Sequence, residues 1–138
     1  MCSPTPSRVS VRRFSGALAA LALSLSIAQP ACAEGLAGSW SGNGSVQLPT
    51  GDTEKARCKA TFHKAGSKSY SMNAVCASSS ARVAQTASLE QVSSNKFAGD
   101  FTNSEYNVSG TITITVNGDS LNAFLSGGGG VARINMSR

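Results

Sequence analysis

The sequence contains only one histidine, His63. A metal centre built on several histidines is therefore excluded, and a Ser-His-Asp triad would have to use this residue. Paired carboxylates are no better a source of catalysis, because Asp100 and Glu105 flank a predicted loop and nothing in the sequence buries them. No catalytic residue, metal or cofactor is predicted for this chain.

Aromatic residues are also scarce: the chain has one tryptophan, two tyrosines and five phenylalanines. An outer-membrane barrel needs a girdle of aromatic residues at each membrane interface and an apolar outer face. The strand patterns described below give an outer face of threonine and serine instead. Beyond residue 33, no apolar run approaches the roughly 20 residues that a transmembrane helix needs. We therefore expect no membrane span after processing.

The N-terminal third of the chain has the pattern of an export signal. The pair Arg12-Arg13 precedes an apolar run at residues 16–28, and Ala31-Cys32-Ala33 follows it. A basic start, a short apolar stretch and small residues before the cleavage point are the parts of a secretory signal peptide. We predict cleavage after Ala33, with residues 1–33 as the signal peptide. The mature protein is then periplasmic or secreted.

The mature chain, residues 34–138, is long enough for one domain with one modest core. Cleavage of the signal peptide removes three arginines. The mature chain then has nine basic and seven acidic residues, and the net charge falls from +5 to +2. A charge this small gives no support for binding of nucleic acid.

Two cysteines, Cys58 and Cys76, remain after processing. An even pair in an oxidising compartment predicts one disulfide. Both cysteines are equidistant from Ser67, which lies in a turn-like stretch between residues 59–64 and 69–75. A hairpin about this turn places the apolar residues of both strands on one face. The predicted pairs are Cys58 with Cys76, Ala60 with Ala74, and Phe62 with Met72.

A period of two also marks the rest of the chain. Residues 106–116 alternate polar with β-branched residues and end at Asn117-Gly118, a dipeptide typical of type I′ turns. A turn there would pair Ile114 with Leu121 and Ile112 with Ala123. About eight such segments predict an all-β protein, a small antiparallel up-and-down barrel of about eight strands, because closure removes exposed strand edges. A β-sandwich is the alternative.

The stretch Gly38-Ser39-Trp40-Ser41-Gly42 resembles the Gly-x-Trp opening strand of lipocalin-like and avidin-like barrels. It is also similar to the start of the small exported inhibitors of alkaline metalloproteases, which are eight-stranded barrels of this length with one disulfide. The chain resembles, in addition, small exported proteins of proteobacteria. The resemblance implies a barrel fold, and the inhibitor family implies a second function to consider.

Several residues are candidates for binding because they lie at a predicted barrel mouth or inside the barrel. The polar segment at residues 103–107 joins two predicted strands, and such loops carry binding sites more often than the scaffold does. Gln85 shares the inward parity of its strand and needs a hydrogen-bond partner. The candidate binding residues are Trp40, Tyr70, Gln85, Asn103, Glu105 and Tyr106.

Four basic or titratable residues, Lys55, Arg57, Lys59 and His63, share one outward parity on the same predicted strand. Alternate side chains on a strand lie about 7 Å apart, so these residues form a candidate cationic face. Such a face either meets an anionic envelope component or an acidic partner protein, or discourages aggregation of the strand edge.

These patterns predict an exported, non-enzymatic binding module. Its expected partner is a small apolar ligand or a cell-envelope component, because an eight-stranded barrel is filled by its own side chains or holds one small ligand. The alternative function is inhibition of a secreted protease or lysozyme.

Overall fold

The structure, a computed structural model, describes residues 35–138. The predicted signal peptide, residues 1–33, lies outside the described residues. In the part of the chain from residue 35 onward, no helix is long and apolar enough to cross a membrane.

Eight antiparallel strands form one closed barrel, in which each strand pairs with its neighbours in the sequence and β1 pairs with β8. This confirms the predicted up-and-down barrel over the sandwich. The strands are β1 (Gly38–Gln47), β2 (Thr53–Lys64), β3 (Ser69–Ala77), β4 (Arg82–Gln91), β5 (Lys96–Asn103), β6 (Val108–Asn117), β7 (Ser120–Gly127) and β8 (Gly130–Ser137).

Alternation of buried and exposed side chains along each strand sets the inner and outer faces of the barrel. On β6, for example, Ile112, Ile114 and Val116 are buried while Thr111 and Thr113 are exposed. The isoleucines therefore face the interior, and the threonines face outward, as the period of two predicts.

The barrel has one filled end, here called the closed end, at the loops 65–68, 92–95 and 118–119. The opposite end, here called the mouth, has the loops 48–52, 78–81, 104–107 and 128–129. The fully buried side chains include Trp40, Phe62, Phe97, Leu36 and Leu121, all on segments near the closed end. Large residues thus fill this end of the barrel.

Trp40 is the centre of the closed end. Its side chain is 2% exposed, and the indole Nε1 donates a hydrogen bond to the carbonyl oxygen of Leu36 at 2.9 Å. The Arg138 guanidinium lies over the indole ring, 4.3 Å from the ring centroid. Arg138 also contacts Asp119 through its Nε and donates to the Ala37 carbonyl oxygen at 3.2 Å. One arginine therefore ties together the first strand, the last strand and the β6–β7 turn.

The β2–β3 hairpin has the predicted register. Cys58 lies opposite Cys76, and the two sulfur atoms form a disulfide with a Cα–Cα distance of 4.1 Å. Ala60 lies opposite Ala74, and Phe62 lies opposite Met72. The predicted disulfide and its hairpin are therefore confirmed.

Reduction of this disulfide is expected to lower the free energy of unfolding by about 3 kcal/mol, because opening the loop gives conformational freedom back to the unfolded chain. Urea titrations with and without dithiothreitol measure the change. The double variant Cys58→Ala, Cys76→Ala is the control, since reductant should leave its unfolding midpoint unchanged. Equal midpoints for the oxidised and reduced forms of the original protein would contradict the prediction.

The register of the β6–β7 hairpin differs from the predicted one by two residues. Ile114 lies opposite Ala123 instead of Leu121, and the two-residue turn is Gly118-Asp119 instead of Asn117-Gly118. Gly118 has a φ of 60°, whereas Asp119 has no positive φ. A positive φ at the first central residue alone is typical of a type II′ turn, in which glycine takes that position. The shift by two keeps every side chain on its predicted face.

Candidate ligand-binding site

A cavity of about 400 Å³ opens at the mouth of the barrel. Its wall is mainly apolar, formed by inward side chains of strands on both sides of the barrel together with the backbone of the β7–β8 turn. The apolar wall includes Val46, Val83, Phe101, Val108, Leu125 and Ala132. This volume lies within the usual range of small-molecule sites, which runs from about 300 to 1,000 Å³.

Several inward residues near the mouth are small. Cys76, Ala132 and Gly127 line the cavity, whereas Trp40, Phe62 and Phe97 are fully buried toward the closed end. Gly128 and Gly129 have φ values of 61° and 79°, the two positive values of a type I′ turn, and they add no side chain at the rim. The difference in side-chain volume between the two ends leaves the space open.

Three residues with carboxamide side chains line this cavity: Gln47, Gln85 and Asn103. Gln47 is exposed, whereas Gln85 and Asn103 lie on the inward faces of β4 and β5. The Gln85 side chain is partly buried, and its Nε2 lies 3.8 Å from the Sγ of Cys76, a weak acceptor. Asn103 is 6% exposed, and its Oδ1 accepts a hydrogen bond from the backbone N–H of Tyr106 at 3.3 Å. The Nδ2 donor of Asn103 is then available to a molecule in the cavity.

The hydrogen bond between Asn103 and Tyr106 shapes the β5–β6 loop. Asparagine side chains that accept from a backbone N–H further along the chain stabilise tight turns. The turn ends at Asn107, the non-glycine residue with a positive φ, 51°, a conformation that asparagine tolerates well. Tyr106 lines the cavity edge and is 55% exposed. The loop therefore places a half-exposed aromatic side chain at the rim of the cavity.

The carboxylate of Glu54 joins two elements of the rim. It accepts a hydrogen bond from the hydroxyl of Ser80 in the β3–β4 loop. Hydrogen bonds from Ser78 and Ser80 hold the pKa of Glu54 below its ordinary value of 4.5, because they stabilise the charged form. The β3–β4 loop is thus fastened to β2 while Glu54 is ionised.

We expect an NMR titration to place the pKa of Glu54 below 4.5. In the double variant Ser78→Ala, Ser80→Ala, the pKa should rise toward 4.5, because both donors are lost. Because the folded-state pKa of Glu54 is depressed, its ionised carboxylate stabilises the loop fully above the unfolded-state pKa, and this contribution is lost as the pH falls through the folded-state pKa. Equal pKa values in the original protein and the double variant would contradict the assignment.

The predicted binding residues separate into two groups. Gln85, Asn103 and Tyr106 line the mouth cavity. Trp40 and Tyr70 are buried near the closed end, where the Tyr70 and Phe97 rings pack edge to face with centroids 5.1 Å apart. Glu105 is exposed in the β5–β6 loop and does not line the cavity. The structure therefore brings three of the six predicted residues together.

The residues of the apolar cavity wall are not among those predicted from the sequence to bind a ligand. Val83 and Ala132 lie on inward parities that the sequence shows, but parity places a residue inside without giving its height in the barrel. Small inward residues toward the mouth on β3, β7 and β8, namely Cys76, Gly127 and Ala132, are a sequence signal for the cavity. That signal becomes readable only once the register of all strands is known.

The predicted cationic face is on the outer surface of β2. Lys55, Arg57, Lys59 and His63 are all exposed. Their cross-strand neighbours on β1 and β3 are uncharged: Ser45 faces Lys55, Asn43 and Ala77 face Arg57, and Ser41 and Val75 face Lys59. Arg133 on β8 lies beside Ser45 and extends the positive charge by two strands. Among residues 35–138, the ion pair within 4.0 Å joins Arg138 and Asp119, away from this face.

Residues 35–138 contain no group of three histidine, cysteine, aspartate or glutamate side chains close enough to hold a metal ion. His63 is exposed near the closed end, opposite Ser71. The mouth therefore offers a mainly apolar cavity with a few carboxamide side chains in its lining.

Comparison with known proteins identifies the fold. No protein-family model matches the sequence, and no curated protein is a significant match. A redesigned β-barrel, mFAP0, bound to DFHBI, is similar with a TM-score of 0.65 at 13% identity, over 75% of this chain and 98% of that chain. Another redesigned barrel, mFAP1, also bound to DFHBI, has a TM-score of 0.63 at 13% identity, over 75% and 94%.

A third similar structure is a fluorescence-activating β-barrel designed de novo, with a TM-score of 0.58 at 16% identity over 75% of this chain and 93% of that chain. Identities this low show a shared fold and leave the function to the site. The chain thus has the fold of a closed eight-stranded antiparallel barrel with a cavity at one end.

Proposed function

We propose that this chain is an exported binding protein that holds one small apolar molecule in the mouth cavity and catalyses no reaction. The observation that carries the proposal is the cavity itself, about 400 Å³ with a mainly apolar wall and the carboxamide residues Gln47, Gln85 and Asn103. An apolar enclosure with a few polar groups is the general form of a small-molecule site. The N-terminal export pattern supports a location in the periplasm or outside the cell.

The geometry favours binding in a preformed site. The closed end is filled by Trp40 and Phe62, so the cavity has a packed floor, and the eight strands pair in a closed ring. A preformed cavity loses little conformational entropy when a ligand enters. Two designed barrels of similar fold are bound to DFHBI, so this architecture is compatible with a small-molecule ligand.

Fluorescence titration with prodan, a neutral dye whose emission reports an apolar environment, tests the proposal. We expect one saturable site per chain in the processed protein. Val83→Trp, which fills the cavity, should weaken dye binding by about tenfold or more, since removal of a site's apolar volume costs at least about 1.4 kcal/mol. Circular dichroism checks that the variant keeps its β-structure.

The matched control is Val92→Trp, because Val92 is 62% exposed in the closed-end loop between β4 and β5. This variant adds the same side chain away from the cavity and should bind the dye as the original protein does. Absence of saturable binding, or equal affinity in the Val83→Trp variant, would refute the proposal.

An envelope component is a second candidate partner, favoured by the unpaired positive charge of the face around Arg57. Its signature would be binding to anionic vesicles that weakens with salt, because exposed charges are screened. Inhibition of a secreted protease or lysozyme stays a prediction, and stoichiometric loss of hydrolase activity would support it.

A further inference from the structure

The barrel wall has a gap beside the mouth cavity. The last pair between β4 and β5 is Thr86 with Thr102, although β4 begins four residues earlier, at Arg82. Arg82–Gln85 pair with β3 on one side and have no partner on β5. The chain beyond Asn103 turns away into the β5–β6 loop. The wall is therefore unpaired on one side over four residues of β4.

An outer groove of about 470 Å³ lies next to this gap. Its wall contains several polar side chains from the outward faces of β2 to β5 and from the start of the β5–β6 loop. These polar residues are Lys59, Thr61, Asn73, Thr86, Thr102 and Ser104.

Gln85 belongs to both spaces, since it lines the mouth cavity and the outer groove. Continuation of the β4–β5 register past Thr86 and Thr102 would place Gln85 opposite Asn103. The two carboxamides thus stand on the two edges of the gap. The apolar cavity on the inside and the outer groove, whose rim carries polar side chains, meet at a pair of hydrogen-bonding groups.

Lys59 is the one charged residue among those that line the outer groove. Lys59 is exposed, and its cross-strand neighbours Ser41 and Val75 carry no charge. Arg57 lies two residues away on the same outward face. A carboxylate or phosphate can accept hydrogen bonds from the ammonium group, from the threonine hydroxyls and from the carboxamides. A cationic head group would find no carboxylate among the polar lining residues of this groove.

We propose that the mouth cavity, the β4–β5 gap and the outer groove form one site for an anionic amphiphile. The apolar tail lies in the cavity, the chain passes between Gln85 and Asn103, and the anionic oxygen head group binds beside Lys59. This inference rests on the proposed function and names its ligand class: a molecule with an apolar tail and a carboxylate or phosphate head.

Displacement of bound prodan by three probes of equal chain length tests this assignment: dodecanoate and dodecyl phosphate, each below its critical micelle concentration, and dodecanol below its solubility limit. We expect at least one anion to bind about fivefold or more tightly than the alcohol, a modest factor because Lys59 is exposed to solvent. The affinity ratio of the two anions distinguishes a carboxylate from a phosphate head group.

Lys59→Gln should lower the affinity for the preferred anion by about fivefold and leave the affinity for dodecanol unchanged. The matched control is Lys64→Gln, because Lys64 is also exposed on β2 but lies at the closed end, outside the groove. This control should bind all three probes as the original protein does. In NMR spectra, the anion should shift the amide of Thr61, which lies beside Lys59 in the groove, more strongly than dodecanol does.

The results separate the two proposals. Equal affinities for the anions and the alcohol, or an Lys59→Gln variant that binds the anion normally, would overturn the amphiphile assignment while prodan binding upholds the cavity. Failure of prodan and of every probe to bind would overturn both proposals.

Discussion

Trp40→Ala is expected to lower the free energy of unfolding by about 4 kcal/mol, the range for removing a large buried aromatic side chain. Trp40 is 2% exposed and packs under the Arg138 guanidinium. Removal of the indole would leave a void at the closed end and would remove the hydrogen bond to the Leu36 carbonyl oxygen. It would also remove the ring over which the Arg138 guanidinium packs, and Arg138 links the C-terminal end of the chain to Ala37. The three effects act in the same direction.

Urea denaturation followed by far-ultraviolet circular dichroism measures this loss without using the tryptophan as its own probe. Phe124→Ala is the control, because Phe124 lies on the outer face of β7 with 38% exposure and one arginine, Arg133, over its ring. Its cost should stay below about 1 kcal/mol, the scale of an exposed cation–π contact. A Trp40→Ala variant as stable as Phe124→Ala would show that the closed end is not held by Trp40.

Gly42→Ala is expected to destabilise the barrel by about 3 kcal/mol, because a close-packed interior resists even one added methyl group. Gly42 lies inward on β1, where β8 passes very close. A Cβ at this position would stand 1.9 Å from the carbonyl oxygen of Asn135 and 2.7 Å from the Cα of Met136. These contacts are with backbone atoms, so the neighbouring strand itself has to move.

Hydrogen exchange locates the effect of this variant, since the β8 amides opposite Gly42 should lose protection before those of β6. Gly66→Ala is the matched control. A Cβ at Gly66 meets only the Ser69 side chain at 3.5 Å, an ordinary contact, and Gly66 has no positive φ. Unchanged stability of the Gly42→Ala variant would mean that the β1–β8 seam is looser than the structure has it.

The sequence carries enough information for the faces of the strands and for one hairpin. The β2–β3 register is predictable because the disulfide and the turn fix the same pairing independently. The β6–β7 register is not, because a shift of two residues leaves every side chain on the same face and Asn117-Gly118 suits a turn as well as Gly118-Asp119 does. Local patterns alone do not distinguish the two registers.

The candidate site depends on relations that no local pattern contains. Gln85 and Asn103 were selected from parity and loop position, but their meeting across the β4–β5 gap depends on where pairing stops, at Thr86 and Thr102. Arg138 contacts Trp40 only because closure brings the first and last strands together. The cavity likewise depends on where small and large inward side chains lie along the axis of the closed barrel.

Chemical-shift mapping of the processed, ¹⁵N-labelled protein with saturating prodan locates the bound molecule residue by residue. We expect large shifts at the mouth, for example at Val83, Asn103 and Gly128, and no shift at Trp40 or Phe62 in the closed end. Shifts spread over the outer surface, shifts confined to the closed end, or no shifts at all would contradict a binding site in the mouth cavity.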